Sequence, residues 1–416
     1  MARKMSDPKP VEKIELSEKY LGWRILFFIL FVILAVSSFG SCINSLFSAE
    51  TGWQEIEANS TTVNCSSDFV FMYYLGGSGV DATTENKALK LVYTEACEMA
   101  HKLFHNKETF EDVINVCYIN QHPNEVLEVD AGLYEAFSVI EKYGNRNIYM
   151  APVYGQYDEI FYVNDESELV NYDPYSSAEV AADYAEIATY ANNPEMVDIQ
   201  LLGDNKIKLH VSEEYLAYAE ENYITDFIDF FWMKNAFVTD YLADYLIESG
   251  YTMGSLSSYD GFSRTLDTTE NSYSFNIYDR EEMTVYPAAV MQYSGTRSVV
   301  YLRDYMMSEM DLQHYYALSN GEVRTSYIDV ADGFPKTAID NLYSYSDELG
   351  CAEVLMQVIP VYVTEEFQTE AVAALAEAGI YSIYCEESVI KYNDASLVLT
   401  EILNEESVKY TTEFVE

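Results

Sequence analysis

Nineteen consecutive residues without a charge, ILFFILFVILAVSSFGSCI at 25–43, divide this chain before anything else is considered. A helix crossing the hydrocarbon core of a bilayer needs about 20 apolar residues, so the run is just long enough to span. Arg3, Lys4, Lys9, Lys13, Lys19 and Arg24 all precede it, and the next base is Lys87. By the positive-inside rule this bias keeps the N-terminus in the cytoplasm and sends everything after the span outward. The expected organisation is a cytoplasmic tail at 1–24, a transmembrane anchor or uncleaved signal at 25–43, a linker at 44–68 and one exported domain at 69–416. The protein is then a single-pass protein of the cell membrane. Two processing variants keep the same sidedness. One is a lipoprotein with Cys42 as the lipid-bearing residue of Ser38-Phe39-Gly40-Ser41-Cys42, the other secretion after cleavage near Ala49.

The exported part is strongly acidic. The whole chain has 23 Lys+Arg against 69 Asp+Glu, and removing the six bases and four acids of the tail leaves 17 against 65. Such a surface repels phosphate backbones, which excludes nucleic acid as a partner. Hydrophobic residues at 49%, with 38 Tyr, supply enough apolar material for a packed core, so this is not a disordered acidic segment. Cys65, Cys97, Cys117, Cys351 and Cys385 show no CxxC spacing and read as buried thiols or as one or two disulfides. The histidines His101, His105, His122, His210 and His314 form no HExxH pair, which argues against a zinc enzyme.

Hydrophobic periodicity predicts helices over 86–106, 132–143, 177–191, 236–249, 352–358 and 365–378. Ile207, Leu209 and Val211 alternate with polar residues as a half-buried strand, and Ser212 caps the helix that follows. Further strands are expected at 273–278, 299–302, 323–330 and 380–385. This order lacks regular βαβ alternation and argues for an α+β domain of mixed sheets with flanking helices.

Two turns stand out. Gly76-Gly77-Ser78-Gly79 follows an apolar strand and reads as a tight turn or as an anion-facing loop. Asp329-Val330-Ala331-Asp332-Gly333-Phe334-Pro335 sets two carboxylates before Gly and Pro, as a ligand-binding turn or as a hairpin closure.

Laid in order, these pieces resemble the ApbE-type FAD:protein FMN transferase family over about residues 71–395. Asn235-Ala236-Phe237-Val238-Thr239-Asp240 followed by Gly250 is similar to the family's KGYAVD-like segment and its helix. Asn320-Gly321 with Asp329, Gly333 and Pro335 resembles the dG-x(7)-DPxTGxP stretch, and Ala352 to Gln357 the ADALST signature. Asn120 falls where the SEISRLN-like segment has its Asn. The resemblance implies a single large ApbE/T-fold-like domain. It also implies FAD as substrate, Mg²⁺, and transfer of FMN to a Thr or Ser of an acceptor flavoprotein outside the cytoplasmic membrane. It places Asp329 near the acceptor hydroxyl, Glu353 and Gln357 at Mg²⁺, and Asn120, Asp240, Tyr259, Asp260 and Gly333 around the flavin nucleotide.

Departures accompany these matches. Asn235 stands where the family has Lys, with Lys234 one residue early, and Ser326 replaces a His. Glu353 and Gln357 replace the metal-binding Asp and Thr. Mg²⁺ demands near-octahedral oxygen ligands at about 2.1 Å, which an extra methylene and a neutral amide serve poorly. Two alternatives to the transferase therefore stand beside it. One is a catalytically degenerate relative that binds a flavin, a nucleotide or a partner protein at the cell surface. The other is a structural or adhesive surface protein whose tyrosines stack on carbohydrate.

Overall fold

Two adjacent strands, Arg297–Arg303 and Asn341–Ser346, are buried along their whole length and fix the layering of the molecule. Side chains alternate faces along a strand. Val300, Leu302 and Leu342 therefore enter one hydrophobic core, while Val299, Tyr301, Tyr343 and Tyr345 enter a second. Strands covered on both sides carry no amphipathic alternation. That is why 299–302 was legible as an apolar run and 341–346 (NLYSYS) was not.

The structure is a computed structural model that describes residues 49–59, 65–267, 269, 271–282 and 284–415. The tail at 1–24 and the anchor at 25–43 lie outside them. Among the described residues no helix is long and apolar enough to cross a membrane.

Nine strands build the main sheet in the spatial order Gly52–Glu55, Phe69–Leu75, Gly254–Ser258, Phe262–Thr265, Arg297–Arg303, Asn341–Ser346, Tyr381–Glu386, Val389–Tyr392 and Thr411–Phe414. Neighbours are antiparallel except for the last pair, which is parallel. Helices Ala82–Leu103, Lys234–Glu248 and Cys351–Tyr362 contribute to the first core through Leu89, Leu246 and Leu355. A three-stranded sheet of Ser272–Glu281, Thr284–Ser294 and Val398–Thr400 closes the second core with Ile277, Ala289 and Met291. A separate sheet joins Val126–Glu128, Lys206–Val211 and Val197–Gly203. The domain is α+β with mixed sheets, as expected.

Local chemistry explains most boundaries. The helices expected at 86–106, 132–143, 177–191 and 236–249 are Ala82–Leu103, Ala131–Tyr143, Ala178–Ala191 and Lys234–Glu248. Asp81, Asp130, Ser177 and Ser212 each accept a backbone N–H at a helix start, the last from Tyr215 at 3.0 Å. Three expectations change. The strand at 323–330 ends at Thr325, because the chain folds back so that the Asp329 and Lys336 amides donate to Phe334 and Tyr327 carbonyls. The helix at 365–378 is the shorter Thr369–Glu377. Part of the linker at 44–68 is sheet: Gly52–Glu55 pairs with Phe69–Leu75, and Trp53 packs edge-on against Tyr74 and Tyr273 at 5.6 and 5.5 Å.

The Gly76–Gly79 turn is occupied from within, since the Gly76 amide and the Ser78 hydroxyl donate to the Glu85 carboxylate at 2.5 and 2.7 Å. Cys97, Cys117, Cys351 and Cys385 are buried and are not in disulfides among the described residues.

Candidate functional site

The approach to helix Lys234–Glu248 is held in an unusual conformation. Phe231 has φ +43°, a region a bulky side chain rarely enters and one that costs about 1–3 kcal/mol. Buried Asp229 enforces it by accepting the Phe231 amide at 2.9 Å and the Asn106 side-chain amide at 2.5 Å. Burial raises the Asp229 pKa. The Phe231 ring stacks on Tyr154 at 4.7 Å. Lys234 and Asn235, the first residues of the helix, are thereby set into an open cleft of about 590 Å³ that adjoins another of about 390 Å³.

Asp260 enters the same cleft from the turn between Gly254–Ser258 and Phe262–Thr265. Gly261 in that turn has φ +111°, and a Cβ there would lie 2.2 Å from the Tyr301 carbonyl oxygen, so only glycine fits. The Asn235 amide donates to Asp260 Oδ2 at 2.9 Å. Behind them Arg303, 2% exposed, pairs with buried Asp311 at 2.6 Å and donates to the Tyr259 carbonyl. Four buried polar atoms at this point, Asn235 Oδ1, Asp260 Oδ1, Arg303 Nε and His314 Nδ1, have no hydrogen-bond partner among the described residues. Buried polar groups are nearly always paired, so such a concentration marks a place built for something else to complete it. An inner recess lined by Asp260, Arg303, His314 and Ser326 has only about 10 Å³, room for one water, so a larger ligand must lie in the outer cleft. Tyr162, Tyr259, Met310 and Leu312 are exposed around its mouth.

Burial raises the Asp68 carboxyl in this cleft against the opposing pull of Lys234, and it lowers the His314 imidazole against Asp260 and Asp311. Asp158 at the adjoining mouth is raised to about 6 by burial and then by Glu159.

Of the residues singled out by resemblance, Tyr259 and Asp260 line this cleft, together with Asn235 and Ser326 at positions where the family has Lys and His. The others lie elsewhere. Asp240 caps the next helix: its oxygens accept the Cys351 and Ala352 amides at 2.9 and 2.8 Å, and Arg264 donates at 3.0 Å. Gly350 is required there, since a Cβ would meet Asp240 Oδ2 at 2.5 Å. Glu353 accepts the Lys142 ammonium at 2.6 Å and the Tyr143 hydroxyl at 3.2 Å. Burial alone would raise its carboxyl, but Lys142, the Gly350 amide and Tyr143 hold it below the usual range. Gln357 donates its amide back to the Glu353 carbonyl.

Asp329 accepts Lys336 at 2.8 Å and the Ala331 amide at 2.9 Å, and Lys336 also pairs with Asp332 and Glu365. Gly333, φ +79°, seats that turn on Tyr184, where a Cβ would come within 2.7 Å. Asn120 is a clamp: its buried side chain accepts the Phe227 and Ile228 amides and donates to the Ile228 carbonyl.

The residues do not fit the divalent cation that the resemblance implies. Glu353 is neutralised by Lys142, Asp240 is spent on amides and Arg264, and no group of three His, Cys, Asp or Glu able to hold a metal occurs among the described residues.

Lys234, Phe231, Arg303 and His314 were not reached from the sequence as site residues. One signal was present: bases are scarce in this chain, and Lys234 stands at the start of its clearest helix.

No protein-family model matches the chain, and no curated protein matches it by sequence. Its fold is similar to that of the ApbE protein of Thermotoga maritima MSB8, with a TM-score of 0.53 over 84% of this chain and 97% of that one, at 11% identity. It is also similar to the flavin transferase ApbE from Vibrio cholerae, with a TM-score of 0.51 over 85% and 98% of the two chains, at 10% identity. The fold is ApbE-like.

Proposed function

We propose that this domain binds a flavin nucleotide in the cleft at the start of helix Lys234–Glu248, without a divalent metal at Glu353 and Gln357. The observation that carries the reading is the group of unpartnered atoms, Asn235 Oδ1, Asp260 Oδ1, Arg303 Nε and His314 Nδ1, beside a cleft of about 590 Å³. Donors and acceptors side by side suit the polar edge of a heterocycle, and the recess has room for one water to bridge to the inner atoms. Tyr162, 57% exposed, and Tyr259, 48% exposed, offer faces for its ring. The ApbE-like fold supports flavin as the heterocycle, because the Vibrio cholerae relative is a flavin transferase.

The second reading is the full transferase: FAD as substrate, Mg²⁺, and FMN delivered to a Thr or Ser of an acceptor flavoprotein. Glu353 and Gln357 on successive turns of helix Cys351–Tyr362 favour it, but Lys142 would have to leave Glu353. In either case the run at 25–43 anchors the chain in the cell membrane with this domain outside.

Anisotropy of FAD titrated with the full-length chain in mild detergent, with Mg²⁺ and again with a chelator, tests both. Saturable binding indifferent to the chelator is the expected result. Mg²⁺-dependent release of AMP from FAD would establish the transferase instead, and no binding at all would retire the flavin.

A further inference from the structure

We infer that His101, His105 and Lys234 form a phosphate subsite in the adjoining part of the cleft, which holds the phosphate or pyrophosphate of the nucleotide; this rests on the flavin-nucleotide reading.

The first observation is where the bases are. In a chain of formal charge −46 with five histidines, His101, His105 and His314 line this one cleft, together with Lys107 and Lys234. Burial lowers the imidazoles and Lys107 is paired with Asp226, so Lys234 supplies the charge this cleft offers an anion and the histidines its ring N–H donors. The second is what those bases do. Lys102, Lys107, Lys142, Lys336 and Lys391 are each in an ion pair. The half-buried Lys234 ammonium has no ion pair or hydrogen-bond partner among the described residues, although it lines both parts of the cleft.

The third is the state of the imidazoles. His105 Nδ1 accepts the Lys107 and Glu108 amides at 3.2 and 3.0 Å. That contact leaves the proton on Nε2, so His105 presents a fixed N–H donor. His101, one helical turn earlier, lies with its ring 5.0 Å from that of His105. Burial lowers both imidazoles, and the Lys234 charge adds to it. The carboxylates nearest this group are Asp68, Asp158, Asp229 and Glu108; Asp229 is bonded to Asn106 and Phe231, and burial raises the Asp68 and Asp158 carboxyls. Lys234 also opens a 15-residue helix with no side-chain cap, whose positive end adds to the attraction.

The test compares riboflavin, FMN and FAD by fluorescence titration of the full-length chain, with inorganic pyrophosphate as competitor. FMN and FAD are expected to bind at least about tenfold tighter than riboflavin, the size of one or two charge-assisted hydrogen bonds. Pyrophosphate is expected to displace FMN but not riboflavin. In Lys234→Gln the ratio of FMN to riboflavin affinity falls at least about fivefold; His101→Gln serves as the second variant if the first does not fold. Equal saturable binding of riboflavin and FMN overturns the subsite and leaves the flavin reading standing. If no flavin binds, the flavin reading falls, and calorimetry with pyrophosphate alone decides the subsite: a saturable heat lost in Lys234→Gln supports it, and no heat overturns it.

Discussion

Helix Lys234–Glu248 presents charged side chains at two places, and they differ in how completely those charges are used. Asp240, at its middle, is bonded to two amides and to Arg264, and the neighbouring Glu353 is bonded to Lys142 and Tyr143. At its start Lys234 is unpaired among the described residues, and Asn235 and Asp260 each keep a buried oxygen without a partner there. The first place is a finished joint between two helices. The second is unfinished, and it is flanked by a strained residue, Phe231, and by a cleft of about 590 Å³. Residue type does not separate them, since both contain carboxylates facing bases; the count of satisfied bonds does.

The comparison can be broken most directly at the finished joint. Asp240→Ala leaves Arg264 with Asp244 as its one carboxylate and strips the Cys351 and Ala352 amides of their acceptor, and should cost about 3 kcal/mol in urea denaturation. Flavin affinity should be unchanged under native conditions. A drop in affinity with little loss of stability would mean Asp240 belongs to the site after all. Next in size, Gly333→Ala should cost about 2 kcal/mol by the same measurement, through its positive φ and the approach to Tyr184. A neutral result would show that the Asp329 turn is looser than its bonding implies.

Asp158, at the mouth of the cleft, sharpens the other side. Its folded carboxyl titrates near 6, above an unfolded one, so it lowers stability as pH rises from about 4 to about 6. Asp158→Asn should therefore add about 1 kcal/mol at pH 7.5, discounted for partial exposure, and nothing at pH 3.5. Equal effects at both values would refute that assignment. Smallest is Glu353→Gln. Lys142 is 58% exposed, so the loss should stay under about 1 kcal/mol. With the carboxyl held low in the folded state, that contribution is present above the ordinary carboxylate range and fades as pH falls through the folded pKa. A loss of flavin affinity restored by no other change would instead favour the metal-dependent transferase.

Much of the fold was legible. Helices such as Ala131–Tyr143 and Lys234–Glu248 have one-sided apolar spacing, and Gly250, φ +89°, marks the end of the latter. The resemblance carried by 235–240, 329–335 and 352–357 led to the ApbE-like fold that the structure shows. Strands such as Asn341–Ser346 and Gly52–Glu55 were not legible, because burial on both faces or a polar edge erases the period of two.

The site was legible only in part, and for a different reason. The sequence by itself determined which residues are acidic, which are basic and which segments are helical or half-buried, because those properties depend on composition and local spacing. The resemblance gave Tyr259, Asp260, Asp240, Glu353 and Asp329 the same standing, whereas in the structure Tyr259 and Asp260 line the cleft with Asn235 and the other three do not. Only the tertiary structure decided which carboxylates are already occupied. Lys142 meets Glu353 across 211 residues and Cys351 meets Asp240 across 111, and no local pattern encodes such pairings. The free energy of a charged group is set by its partners and its burial, and both come from parts of the chain that meet only when it folds.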